Sequence, residues 1–194
     1  LPPRRQVVER VDVDTLAELA KKGTLIIDTR DPEAYAGGHI ENAYAIWRGG
    51  LPVFGGWVAD ADAKVALVCE DDNAVEEAAQ HLARIGIDGV NAALSGGFAS
   101  WRSSGLPIET SGIITPRELA ERRDQYTILD VREADEFAGG HIPEARNVYV
   151  GHLEDQLADM DLERSAPIVV TCGVGHRAGV AVSMLRRAGH TNVS

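Results

Sequence analysis

The chain repeats itself, and that repeat restricts its architecture more than any single motif. Leu-Ile-Ile-Asp-Thr-Arg at residues 25–30 returns as Thr-Ile-Leu-Asp-Val-Arg at 127–132, and Gly-Gly-His-Ile at 37–40 returns at 139–142. Asp28 therefore corresponds to Asp130 and His39 to His141. Further on, Val75, Ala78, Ala79, Leu82 and Ile85 correspond to Ala178, Ala181, Val182, Leu185 and Ala188 after one inserted residue. A unit of roughly 100 residues is a domain, not a turn of a solenoid. The expectation is two similar domains with separate cores, residues 8–109 and 110–194, joined by the Gly/Pro/Ser-rich stretch 105–112. Residues 1–7, opening Leu-Pro-Pro-Arg-Arg without Met, read as a linker from a longer protein. Residues 191–194 stand where the counterpart of the apolar run 90–94 begins, so the last strand and helix of the second domain are expected to lie outside this sequence.

Each unit alternates two periodicities. The short apolar runs 25–27, 65–68, 128–129 and 168–170 lack polar alternation, as strands of a parallel sheet covered on both faces do. Between them lie helical patterns. Residues 14–22 carry Leu16, Leu19 and Ala20 on one face, and 75–85 and 178–188 repeat apolar positions at i, i+3, i+4 and i+7. Each of the last two ends in glycine, Gly86 or Gly189, the residue suited to a left-handed cap. Thr115-Pro116-Arg117-Glu118 has the form of a capping box with proline at the first helical position. Strands alternating with helices predict an α/β fold, two mainly parallel sheets flanked by helices.

Charge narrows the partners. With 19 basic and 30 acidic residues the net charge is −11. That disfavours nucleic acid and anionic membranes, which reward clusters of Lys and Arg, and means that any anion site must be built locally. No apolar stretch approaches the ~20 residues that span a bilayer, so the chain reads as soluble and cytoplasmic. Two cysteines at equivalent points of separate domains are no disulfide framework, and without CxxC or HExxH no metal is assigned.

Those two cysteines carry the functional signal. Cys172 follows the strand-like run 168–170 and precedes a helix, which puts it at the carboxyl end of a strand, where open α/β sheets place their ligands. The intervening residues are Gly173, Val174, Gly175, His176 and Arg177. Two glycines let the loop curl so that successive N–H groups point inward, and the helix start adds partial positive charge. With Arg177 as a fixed cation, this is an anion cradle around a nucleophilic sulfur. The matching loop after Cys69 reads Glu70-Asp71-Asp72-Asn73-Ala74, with carboxylates in place of glycines and alanine in place of arginine. Like charges there are expected to raise the thiol pKa and repel an anion, so Cys69 reads as a buried structural residue and the first domain as a scaffold. Asp130 and Arg132, whose counterparts Asp28 and Arg30 persist beside the degraded loop, read as an ion-pair support for the active loop. The same reasoning assigns His39 and His141 to structure. His176 has no counterpart and either adjusts the local field or substrate access or faces solvent; Trp47 and Trp57 either pack the first core or meet another domain.

Residues 130–143 (Asp-Val-Arg-Glu-Ala-Asp-Glu-Phe-Ala-Gly-Gly-His-Ile-Pro), the Cys-Gly-Val-Gly-His-Arg loop and Gly-Gly-Phe-Ala-Ser-Trp at 96–101 resemble the rhodanese (sulfurtransferase) family. The resemblance implies that Cys172 carries sulfane sulfur as a persulfide, that Gly173, Val174, Gly175 and His176 form the substrate-binding loop, and that Arg177 contacts the anion. It implies no cofactor in this chain beyond the cysteine persulfide itself. It further implies thiosulfate, glutathione persulfide or a similar small anion as donor, and cyanide or a thiol as acceptor. The compact tandem, with an inactive first domain, is similar to the C-terminal pair of fusions with an upstream metallo-β-lactamase-fold persulfide dioxygenase, implying sulfide detoxification; the iron of such a dioxygenase would belong to that upstream domain. A Cys-dependent phosphatase or arsenate reductase is the rival enzyme class, but four residues separate Cys172 from Arg177, where the phosphatase loop holds five. A non-catalytic binding module suits the first domain better than the second.

Overall fold

The computed structural model describes residues 7–194, so most of the expected N-terminal linker, residues 1–6, lies outside the described residues. The first unit runs β1 (Glu9–Val11), α1 (Val13–Lys21), β2 (Leu25–Asp28), α2 (Pro32–Ala36), β3 (Tyr44–Ala45), α3 (Leu51–Val58), β4 (Val65–Val68), α4 (Val75–Arg84), β5 (Val90–Leu94) and α5 (Gly97–Ser103). The second runs α6 (Pro116–Glu121), β6 (Thr127–Asp130), α7 (Ala134–Ala138), β7 (Arg146–Asn147), α8 (Leu153–Gln156), β8 (Ile168–Thr171) and α9 (His176–Arg187). The first sheet has the order β1-β5-β4-β2-β3, and the second, β7-β6-β8, reproduces its β3-β2-β4 portion. Every strand pair is parallel. Beyond β8, Val193 bridges Ile168 in the same parallel sense, with the Ile168 N–H on Asn192 and the Val170 N–H on Ser194.

The chain forms these elements for local reasons. β4 is Val-Ala-Leu-Val, fully buried on both faces, so it tolerates no polar alternation. Thr115 accepts from the Glu118 N–H while Glu118 accepts from the Thr115 N–H, closing the capping box that starts α6. Gly86 and Gly189 end α4 and α9 at φ +88° and +92°, the left-handed caps expected of them. In α1 only Leu16 is fully buried; Leu19 and Ala20 are partly covered against the same cluster. β1, which pairs with β5 at the sheet edge, has too short an apolar pattern to be read from sequence.

The expectation of separate cores is corrected. One cluster of buried side chains includes Ile27, Phe54, Leu67 and Leu82 from the first unit together with Leu129, Leu153, Val180 and Leu185 from the second. The cause is α9, which packs on β3 and α2 of the first unit. Gly179 lies where an added Cβ would stand 3.2 Å from the Pro32 ring, so the helix backbone itself approaches α2. Tyr44 donates to Glu154 across the junction at 2.9 Å, and Arg187 stacks on the Tyr44 ring. Nor is 105–112 a loose tether. His39 and Glu109 exchange backbone hydrogen bonds, and the Ser111 N–H donates to the Ala36 carbonyl. The two units meet along a packed face, and the cysteine loop of the second lies at its edge.

Candidate functional site

β8 delivers Cys172 to the carboxyl edge of the second sheet, and the chain turns at once into α9. The helix begins two residues earlier than the apolar pattern predicts. Its N-cap is Gly175, at φ +90° and ψ −26°, with His176 and Arg177 already in the first turn. Apolar periodicity cannot see these positions because both side chains are polar. The glycine makes the turn possible, since a side chain at that φ is strained, and it aims the Gly175 N–H at Cys172 Sγ, 3.1 Å away. Cys172 is half-buried, while Gly173, Val174 and Gly175 are exposed. The sulfur therefore sits accessible over a backbone donor and a helix N-terminus, the arrangement that favours negative charge at that point.

Arg177 lies beside the same loop, its Nη2 3.6 Å from the position a Cβ would take at Gly173. It is not a free cation. Its Nη1 and Nη2 donate to the two carboxylate oxygens of Glu136 at 2.5 and 2.8 Å, a fork-to-fork pair. The Arg177 bonds hold the Glu136 carboxyl down at about 2, and the pair in turn raises the already high pKa of the guanidinium. Glu136 escapes sequence reasoning because it sits in the first turn of α7, 41 residues from its partner. The repeat nevertheless held the signal: Ala34 and Ala74 stand at the two equivalent positions of the first unit, so both members of the pair are absent together there.

Asp130 and Arg132 stand close by but face each other. Arg132 Nε and Nη2 donate to the buried Asp130 carboxylate at 2.9 and 2.6 Å, and Nη2 also reaches the Gly140 carbonyl at 2.8 Å. Arg30 repeats this on Asp28 and the Gly38 carbonyl. These bonds hold the chain between strand and helix in both units. His39 and His141 stack on Tyr35 and Phe137 at 3.8 and 3.7 Å, each Nδ1 2.9 Å from the carbonyl of that aromatic residue.

The first unit shows what the site looks like when it is closed. Cys69 is 1% exposed, and its thiol is pushed up to about 11, chiefly by burial, with a contribution from the Asp28 charge. The direction agrees with the sequence argument but the cause does not, because the loop carboxylates are turned away onto backbone donors. Asp71 accepts from the Asn73 and Ala74 N–H groups at 2.8 and 3.2 Å, and Asp72 from Gly96 at 3.0 Å. Asp71 thus caps with its own carboxylate the helix start that follows Cys69.

A model of the Rhodanese-like domain family matches residues 12–104 and again 115–194. The chain belongs to the rhodanese-like domain family. Among curated relatives of this rhodanese-like chain, the thiosulfate sulfurtransferase GlpE of Pseudomonas entomophila is 35% identical over 103 residues, 53% of this chain and 92% of that protein. GlpE of Pseudomonas putida (strain F1) is 36% identical over 104 residues, with the same coverage of 53% and 92%. Among solved structures, SseA from Escherichia coli, described as a 3-mercaptopyruvate sulfotransferase, covers 97% of both chains at 22% identity with a TM-score of 0.45. Among the described residues no helix is long and apolar enough to cross a membrane, and no group of three or more His, Cys, Asp or Glu could hold a metal ion.

Proposed function

We propose that this chain is a sulfurtransferase in which Cys172 carries the transferred sulfur as a persulfide. The observation that carries the reading is the Gly175 N–H on Cys172 Sγ at 3.1 Å, with Arg177 beside the loop. In the first half-reaction the Cys172 thiolate attacks the outer sulfur of thiosulfate. An S–S bond forms to Cys172, the bond to the sulfonate sulfur breaks, and sulfite leaves with the electron pair. In the second, cyanide or a thiolate attacks the outer sulfur, and thiocyanate or a new persulfide departs as the Cys172 thiolate is regenerated. No external oxidant is needed in either step. Loop N–H groups would stabilise charge on the persulfide and on the leaving sulfite, the role that preorganised donors play in anionic transition states. A low-molecular-weight persulfide such as that of glutathione serves equally as donor. Sulfide detoxification in the cytoplasm, in series with an upstream persulfide dioxygenase of metallo-β-lactamase fold, is the setting this proposal adopts from the family resemblance.

The test is mass spectrometry of the protein and its peptides after incubation with thiosulfate or glutathione persulfide. The expected result is one added sulfur on Cys172 and none on Cys69, removed by cyanide. A folded protein that gains sulfur on neither cysteine overturns the proposal, as does undiminished thiocyanate production by Cys172→Ser.

A further inference from the structure

A chain of aromatic rings leaves the cysteine loop at His176, passes through the first unit and returns to the second. It begins at His176, whose imidazole lies face to face on Trp47, centroids 4.2 Å apart and planes within 10°. Trp47 meets Phe54 at 5.1 Å, Phe54 meets Trp57 edge-on at 4.9 Å, and Trp57 meets Tyr149 edge-on at 5.6 Å. Tyr149 is back in the second unit. Burial and a hydrogen bond to Glu133 raise its phenol above the ordinary value, and the Arg177 charge acts in the opposite sense.

The three middle rings belong to the unit whose own loop is closed, and its backbone is shaped to hold them. Trp47 follows β3 on a segment anchored on both sides: the Ile46 N–H donates to the Asp28 carbonyl and the Arg48 N–H to the Thr29 carbonyl, each at 3.0 Å. An added Cβ at Gly50 would lie 2.6 Å from the six-membered ring of Trp47, so only glycine leaves the indole room. Gly151 does the same across the junction, where a Cβ would stand 3.0 Å from Trp57 and 2.8 Å from Tyr149. By contrast, Gly173, Val174 and Gly175 are exposed and have little of their own to hold them. His176, the first residue of α9, is the loop's outer anchor.

We propose that Trp47 of the first unit is a positioning residue for the Cys172 loop, clamping it through His176 so that the Gly175 N–H stays on the sulfur. The first unit is then part of the catalytic apparatus and not only a scaffold. This rests on the sulfurtransferase reading, so the experiment begins with the wild type. Failure of the wild type to load sulfur on Cys172 defeats that reading, whereas the clamp is tested by comparing variants of a protein that does load it.

The variants are Trp47→Ala, Trp47→Phe, His176→Ala and the double variant Trp47→Ala/His176→Ala, assayed for thiosulfate:cyanide sulfur transfer and for thermal stability. Trp47→Ala is expected to lower kcat about tenfold, equivalent to about 1.4 kcal/mol and near the upper end for an aromatic pair, with KM for thiosulfate changed less than about twofold. Trp47→Phe, which keeps a face for the imidazole, recovers most of the loss. The double variant is no slower than the worse single variant, because both substitutions remove one interaction. If Trp47→Ala does not fold, Trp47→Leu takes its place in the cycle. A folded Trp47→Ala (or Trp47→Leu) variant within twofold of wild-type kcat, or a double variant whose loss is the product of the two single losses, overturns the proposal.

Discussion

Replacing Gly175 by alanine isolates the backbone geometry of the loop. At φ +90° and ψ −26° a residue with a Cβ carries strain of about 1–3 kcal/mol. The cost is purely torsional, because an added Cβ meets nothing within 4 Å. The chain has few ways to relieve it. On the C-terminal side α9 is fixed by Pro32 against Gly179 and by the His176–Trp47 stack, so relaxation must come from the preceding peptide. That peptide carries the N–H on Cys172 Sγ, and easing the strain swings the donor off the sulfur. Over the strain range, a factor of roughly 5–160 in rate is expected, read as the rate of sulfur loading on Cys172 and as thiocyanate formation, with the far-UV circular dichroism unchanged. Gly175→Asn is the control, since asparagine tolerates positive φ better than alanine; it should lose less despite its larger side chain. Rates for Gly175→Ala within twofold of wild type would refute the argument. If Asn were more damaging than Ala, bulk in the anion path would be the cause, not φ.

Three further predictions concern the charges and the second thiol. Arg177→Ala should lower kcat/KM by roughly 10²-fold, and Arg177→Lys should not restore it, because an ammonium cannot reproduce the planar two-point donor face that a guanidinium offers an anion; near-wild-type rates would remove Arg177 from the site. Glu136→Gln, by withdrawing a carboxylate that stays ionised down to about pH 2, should lower KM for thiosulfate roughly fivefold, and an unchanged or raised KM in steady-state assays would show that the pair only positions the arginine. For Cys69, a folded-state pKa of about 11 against an ordinary 9.0 means that the folded chain keeps a proton that the unfolded chain releases between those values. Stability should therefore fall as pH rises through that window, by up to about 1.4 kcal/mol per pH unit, and chemical denaturation at pH 8 and 10.5 should show Cys69→Ala losing less than wild type. Equal pH slopes in the two proteins would contradict this. Below pH 9, iodoacetamide should label Cys172 and spare Cys69.

Much of the fold was legible because it was written twice. Aligning 25–30 with 127–132 located β2 and β6, and the glycines at 86 and 189 located the ends of α4 and α9 to within a residue or two. The start of α9 was not legible, since apolar spacing marks only the buried face, and His176 and Arg177 lie off it. Comparing the two loops singled out Cys172 over Cys69. It predicted repulsion by Glu70, Asp71 and Asp72, whereas Asp71 and Asp72 are spent on backbone donors and burial dominates.

What the sequence determines by itself is whatever depends on neighbours along the chain: the parallel strands, the caps, the Asp–Arg supports two residues apart, and a cysteine at a strand end before a glycine-rich turn. Tertiary structure alone decided that Glu136 holds Arg177, that Trp47 lies on His176, and that the two cores join through α9. Periodicity specifies which face of a helix or strand is buried but not against what. Those contacts span long stretches of chain: the Glu136–Arg177 pair is set by packing of α7 against the start of α9 within the second unit, the other two by how the units dock.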